Sequence, residues 1–467
     1  MVKMYAAVAA LVFLCTAGAG RGAPLDDELP ASLDNGAQGR DPFHSPGHVP
    51  PIDACHDALR PSNGSLVVRM LPRGPLAPDG ALAFTSGVCV YLPPGYARSH
   101  RRYPVLYLLH GGGGDAADWV TFGDIRKTMD DLIAADRRNA AIVVMPDGDD
   151  AQWYDSLDGT IANQQYVLDW LVPYVDRHLR TIAGREGRAI DGLSNGGYGA
   201  MHLAAKAPDR FVVAGGMSSN LGALSMAGLR PTDAPAYSHG SLPVDLAGNL
   251  DGIDLMLDIG TSCVTDQAID QCFAFQFEQI FVPANRDFLA RLASLRGPTN
   301  GQTDYRETEG AHAWRWWGPW LRDRHLPFLL ARLADPRRSP RTRTRRPTAF
   351  GYRSIAVGFS VWGWDVTVDR GVREFLDLTN VGAGGLHAQG SGQVHIRTPP
   401  LYRSGRAYVV TGAGAAVQRV TADRAGRLAF VVDLGPAHEH EQYTPAATAL
   451  EGAGGYWSTR DVTIGRR

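Results

Sequence analysis

The residues with the strongest chemical signature are Gly192-Leu193-Ser194-Asn195-Gly196. A serine hydroxyl is a weak nucleophile near neutral pH unless a base takes its proton. Glycines on both sides permit a tight strand-to-helix turn that pushes Ser194 outward. The N–H groups opening the following helix then face negative charge as it develops on a carbonyl oxygen. The Asn195 N–H is one expected oxyanion donor. His110-Gly111-Gly112-Gly113-Gly114 offers a second, since glycines let backbone N–H groups approach a substrate closely. Gly112 is the expected donor and Gly113 borders the substrate. His110 reads first as structural and second as substrate-binding.

The base is expected late in the chain, on a loop after the last strand. His312, in Gly310-Ala311-His312-Ala313-Trp314, sits there. His325 falls inside the final helix pattern and reads as a packing or surface residue. The acid belongs between Ser194 and His312. Asp258 lies in a strand, with Asp266, Asp270 and Glu278 beyond it, and spacing alone favours Asp266. Trp314, Trp316, Trp317 and Trp320 read mainly as packing for the final helix, with Trp314 facing the cleft. No cofactor or metal is expected: no cysteine pair has zinc-type spacing, and His438-Glu439-His440-Glu441 reads as solvated surface.

Such chemistry needs a sheet to carry it. Val105 to Leu109, Ala140 to Met145, Arg188 to Asp191, Phe211 to Gly216, Ile253 to Ile259 and Thr303 to Glu307 read as strands. The patterns Ile125 to Ala135, Gln165 to Leu179, Gly197 to Ala207, Phe275 to Ala293 and Trp316 to Leu333 read as helices. This alternation predicts an α/β domain with a mostly parallel sheet and helices on both faces. Residues 336–347 carry six arginines and three prolines and read as a solvated linker. Beyond them, short β-type runs between glycine-rich turns predict an all-β sandwich-like domain, with Trp362 and Trp364 alternating on one strand.

The chain has 467 residues, room for about three domains of ~150 residues. A net charge of −2 argues against a nucleic-acid partner. The organisation expected is a signal peptide at 1–23, an extended arm at 24–64, a catalytic domain at 65–335, the linker at 336–347 and the β-domain at 348–467. Lys3 followed by the apolar run Tyr5 to Cys15 and Thr16-Ala17-Gly18-Ala19 is secretory in pattern and too short for a transmembrane anchor. Export favours disulfides, and sequence proximity pairs Cys55 with Cys89 and Cys263 with Cys272.

Val90-Tyr91-Leu92-Pro93-Pro94-Gly95-Tyr96, the strand into HGGGG with Trp119 beyond, the Ser194 turn and Gly310-Ala311-His312 together resemble the secreted esterase-D-type serine esterases of the α/β-hydrolase superfamily. The resemblance covers residues 65–335. Phe277-Glu278-Gln279-Ile280-Phe281-Val282 with Asn285, and His312-Ala313-Trp314-Arg315-Trp316-Trp317-Gly318, are most similar to the mycolyltransferase-like branch of actinobacteria. That likeness implies Glu278 as the triad acid and places Trp119 and Trp153 at the substrate cleft. His110 stands where that branch has an acidic residue. The expected function is a secreted serine carboxylic-ester hydrolase working through an acyl-enzyme, on a small-molecule or cell-wall ester. The alternatives are an acyltransferase to a sugar or wall acceptor, and a non-catalytic wall or carbohydrate binder. The last is the best reading of the β-domain, which with the linker could contact a cell-wall polymer.

Overall fold

The computed structural model describes residues 65–72, 85–148, 153–159, 161–221, 234–262, 275–295, 301–333 and 347–466. The expected signal segment, the arm, the linker up to residue 346, Asp266 and the cysteines Cys55, Cys263 and Cys272 lie outside them.

Eight strands form one sheet: β1 (Ser65–Pro72), β2 (Thr85–Leu92), β3 (Val105–Leu109), β4 (Ile142–Pro146), β5 (Arg188–Gly192), β6 (Val213–Met217), β7 (Asp254–Ser262) and β8 (Thr303–Glu309). Their order is β1-β2-β4-β3-β5-β6-β7-β8. β1 and β2 enter antiparallel, and every pairing from β4 to β8 is parallel. Parallel strands buried on both faces read as continuous apolar runs, which is why Val105 to Leu109 is so legible. Side chains alternate across the sheet. Val105, Tyr107 and Leu109 pack on one face, and Leu106 and Leu108 on the other. Helix α1 (Ile125–Ala135) covers the second face, while α2 (Val172–His178), α3 (Asn195–Lys206) and α4 (Phe275–Leu295) cover the first.

The final helix pattern is not one helix. It divides into α5 (Trp314–Trp320), a π-helical turn at Leu321–His325, and α6 (Leu326–Arg332). Pro319 and Pro327 lack the N–H that a regular ladder needs, and the widened turn absorbs the mismatch. The same happens at Tyr166–Leu171 ahead of α2, which carries Pro173.

The second domain is a sandwich of two antiparallel sheets. One contains β10 (Gly358–Val361), β11 (Trp364–Asp369), β14 (Gln393–Arg397) and β17 (Ala429–Asp433). The other has the order β16-β15-β18-β13-β12-β9, built from β9 (Ala349–Ser354), β12 (Leu376–Gly382), β13 (Gly385–Gly390), β15 (Ala407–Thr411), β16 (Gln418–Thr421) and β18 (Ser458–Arg466). Val366, Val394, Leu378 and Val410 fill the space between them.

Two expectations fail here. Trp362 and Trp364 do not share a strand: Trp362-Gly363 is the two-residue turn between β10 and β11, both residues at positive φ (51° and 75°). That is the geometry a twisted hairpin requires. His438 is also no solvated residue. Its Nδ1 meets Glu374 Oε2 at 2.5 Å, its Nε2 meets the Tyr456 carbonyl at 2.9 Å, and its ring stacks on Tyr456.

The sandwich is fastened to the α/β domain by buried contacts. Asn249 Nδ2 donates to the Arg353 carbonyl at 2.9 Å, and its Oδ1 accepts from the Arg353 N–H at 2.7 Å. Tyr352 donates to the Lys206 carbonyl at 2.9 Å. Ile355 and Phe375 belong to the same apolar cluster as Leu203, Leu246 and Leu250.

Candidate active site

The carboxyl ends of β3, β5, β6 and β8 gather the site. Ser194 follows β5 and sits at φ 55°, a region a non-glycine residue occupies only when its surroundings enforce it. The enforcement is steric and hydrogen-bonded. A Cβ on Gly196 would lie 1.9 Å from the Leu109 carbonyl oxygen, and one on Gly192 would lie 2.3 Å from Gly196. The Ser194 N–H donates to the Met217 carbonyl at 2.8 Å. α3 begins at Asn195, so its first N–H groups open beside the serine.

His312 follows β8. Its Nε2 lies 2.9 Å from Ser194 Oγ, and its Nδ1 lies 3.5 Å from Glu278 Oε1. Glu278, in the first turn of α4, is fully buried. Its Oε1 also accepts a short hydrogen bond from Ser218 Oγ. Phe277, Phe281 and Trp317 surround the His312 ring at centroid distances of 5.4, 5.4 and 4.8 Å. Aromatic walls of this kind limit water around the imidazole.

The glycine turn after β3 lies against the elbow. A Cβ on Gly111 would be 3.1 Å from Ser194 Cβ, and one on Gly112 would be 3.1 Å from Asn195 Nδ2. Gly112 and Gly113 are exposed, Gly113 at φ 72°. Trp314 is half-buried and meets Trp119 edge-on at 5.3 Å.

Three of the expected substrate-lining residues are fully buried and have no surface to offer a ligand: His110, Trp119 and Trp153. His110 Nδ1 faces the Gly111 carbonyl at 2.9 Å and its Nε2 accepts from the Gly148 N–H at 2.9 Å. Trp153 Nε1 donates to the His110 carbonyl at 3.0 Å. His110 and Trp153 therefore fix the glycine turn to the end of β4, and Trp119 backs Trp314. Burial follows from the apolar packing each side chain gains, which a motif does not reveal.

Two groups escaped the sequence reading. Ser218 is one. His325, expected in packing or at the surface, is the other: it is fully buried between Asp191 Oδ2 (2.9 Å from Nδ1) and Asp258 Oδ2 (3.1 Å from Nε2). Carboxylates only accept, so both ring nitrogens must carry hydrogen and the ring is a cation. Burial opposes that charge, but the two carboxylates prevail and push His325 up to about 9. Burial would likewise raise Asp258; His325 and the Arg324 guanidinium, at 2.9–3.0 Å, outweigh it and hold Asp258 below its ordinary value. Asp191 adjoins the elbow, and its Oδ1 accepts from the Gly192 N–H at 2.8 Å. Among the described residues, no group of three or more His, Cys, Asp or Glu side chains is arranged to hold a metal ion.

A doubly covered, mostly parallel sheet with a serine elbow at its carboxyl edge, and a histidine and buried carboxylate beside it, defines an α/β hydrolase. The Esterase family model matches residues 81–328, and the chain belongs to that family. Esterase Rv1288 of Mycobacterium tuberculosis is 40% identical over 150 residues, which are 31% of this chain and 31% of that protein. The endo-1,4-beta-xylanase/feruloyl esterase of Xylanibacter ruminicola is 34% identical over 129 residues, 26% of this chain and 18% of that protein. The chain thus spans about a third or less of the length of these relatives. Among solved structures, Mycobacterium tuberculosis MPT51 aligns with a TM-score of 0.45 at 20% identity, over 57% of this chain and 98% of that one.

Proposed function

We propose that the protein is a serine carboxylic-ester hydrolase with Ser194 as nucleophile, His312 as base and Glu278 as acid. The observation that carries this is the 2.9 Å approach of His312 Nε2 to Ser194 Oγ at the elbow. In the first half-reaction Ser194 Oγ attacks the ester carbonyl carbon while its proton passes to His312 Nε2. The N–H groups of Gly112 and Asn195 receive the oxyanion, each such donor typically being worth about 3 kcal/mol of barrier. The tetrahedral adduct collapses, and His312 returns the proton to the leaving alkoxide. Water, activated by the same histidine, then frees the acid from the acyl-serine. Glu278 holds His312 in the tautomer that leaves Nε2 free to accept. No step calls for a cofactor or a metal.

The chemistry is indifferent to whether water or an alcohol of a sugar or wall polymer takes the acyl group, so acceptor choice is a separate question. The proposal includes export directed by residues 1–23 and a Cys55–Cys89 bridge. Cys89, buried in β2, is disulfide-bonded, which supports the bridge. Contact with a wall polymer through the arginine linker and the sandwich remains part of the same reading. No helix among the described residues is long and apolar enough to cross a membrane.

The test is turnover of short p-nitrophenyl esters and labelling by a fluorophosphonate. Ser194→Ala is expected to abolish both while the protein still folds. Retained turnover in that variant refutes the assignment. Product analysis with and without a sugar acceptor separates hydrolysis from transfer.

A further inference from the structure

We propose that Ser218 is a positioning residue for the triad acid and is itself oriented by Trp317. The inference rests on the triad reading above and adds two members to it. The hydroxyl lies where three elements converge. It follows β6, donates to Glu278 Oε1 on α4, and accepts from Trp317 Nε1 on α5 at 2.9 Å. Its own N–H donates to the Asp258 carbonyl on β7 at 2.7 Å.

The direction of every bond is fixed. An indole N–H can only donate, so Ser218 must receive it on an oxygen lone pair. Its single proton then points at Glu278. Glu278 is fully buried, and its Oε2 meets no hydrogen-bond donor among the described residues. Its Oε1 is thus held by the Ser218 hydroxyl on one side and faces His312 Nδ1 on the other. A buried carboxylate with so few donors has little else to set its rotamer, and the rotamer sets how closely Oε1 meets the imidazole.

The backbone supports the same conclusion. Ser218 is fully buried and sits at φ 49°, where glycine fits without strain. A serine held in that conformation forgoes the easier residue for its hydroxyl. The chain therefore runs Trp317 to Ser218 to Glu278 to His312 to Ser194, each link a named polar contact. The 3.5 Å gap at Glu278–His312 is its longest link, and it is the one the Ser218 hydroxyl controls.

The experiment uses the full chain and a soluble p-nitrophenyl ester. Ser218→Ala and Trp317→Phe are expected to lower kcat by about tenfold or more, a fraction of the 10²–10⁴ that proton transfer contributes. KM should stay within about twofold. Ser218→Gly relaxes the backbone and removes the same hydroxyl, so it should lose kcat while melting no lower than Ser218→Ala. In a Glu278→Gln background, Ser218→Ala should cost no more than about twofold, because a residue acting through Glu278 has nothing left to act on. An undiminished loss in that background means packing alone and overturns the proposal. So does wild-type kcat in Ser218→Ala or Ser218→Gly. Activity persisting in Ser194→Ala would instead overturn the triad reading, so the two failures are distinguishable.

Discussion

Replacing His325 by glutamine is the most informative perturbation of the charged cluster under the elbow. In the folded protein the ring binds its proton up to about pH 9, whereas an unfolded chain releases it near 6.5. At about 1.4 kcal/mol per tenfold change in proton affinity, that interval amounts to about 3 kcal/mol. Between those pH values the folded state holds one proton more than the unfolded state. The contribution is therefore complete below about pH 6.5 and is lost as pH rises through about 9. The groups facing the ring are Asp191 on β5, Asp258 on β7 and, across Asp258, Arg324 on the same turn. Glutamine cannot supply the cation, and it leaves Asp191 with only the Gly192 N–H among the contacts described above. The assay is urea unfolding of the full chain, followed by tryptophan fluorescence at intervals from pH 6 to 9.5. Wild type should exceed His325→Gln by about 3 kcal/mol or more at pH 6. The difference should shrink by about 3 kcal/mol by pH 9.5 as the wild-type ring loses its charge. Titrating groups that do not touch His325 are common to both proteins and cancel, and Asp258, which loses one of its two cations, keeps Arg324. A difference that stays constant across this range would refute the buried imidazolium.

Further outcomes follow from the same geometry. Gly196→Ala should give no active protein, because its Cβ would lie 1.9 Å from the Leu109 carbonyl oxygen; soluble expression and ester turnover check this. Gly112→Ala meets only the Asn195 side-chain amide, at 3.1 Å, and should fold but lose about tenfold or more in kcat as the proposed oxyanion donor shifts. Ile355→Ala should lower stability by about 2–5 kcal/mol, the usual range for a buried aliphatic, although Ile355 belongs to the sandwich; thermal melting reads it.

Much of the catalytic scaffold was legible because each part obeys a local rule. Buried parallel strands make apolar runs, and an elbow needs its glycines on both sides of the serine. Glu278 was not legible from spacing, since a carboxylate in the first turn of a helix looks like a surface residue until the helix docks. Ser218 carries no motif: its role exists only where β6, α4 and α5 meet. His325 was legible as a packed or surface residue but not as a buried cation, because Asp191 and Asp258 reach its ring only once the π turn docks on the sheet. Trp362 was misread because a two-residue turn hides inside a β-type run when the residue before its glycine is aromatic.

The boundary at the arginine linker is a boundary of composition, and the contacts disregard it. The Tyr352 hydroxyl on β9 reaches the end of α3, and Ile355, just after β9, packs in the first domain's core among the leucines near Asn249. α3 is the helix that opens at Ser194, so the sandwich grips the far end of the helix whose near end faces the proposed oxyanion site. Deleting residues 348–467 would expose Leu203, Leu246 and Leu250 and leave both polar ends of the Asn249 amide without Arg353. The truncated chain is therefore expected to aggregate or to lose soluble-ester turnover. A truncation with full turnover and an unchanged melting temperature would show that these contacts carry no load, and that the sandwich is a separable module whose role lies wholly outside the reaction.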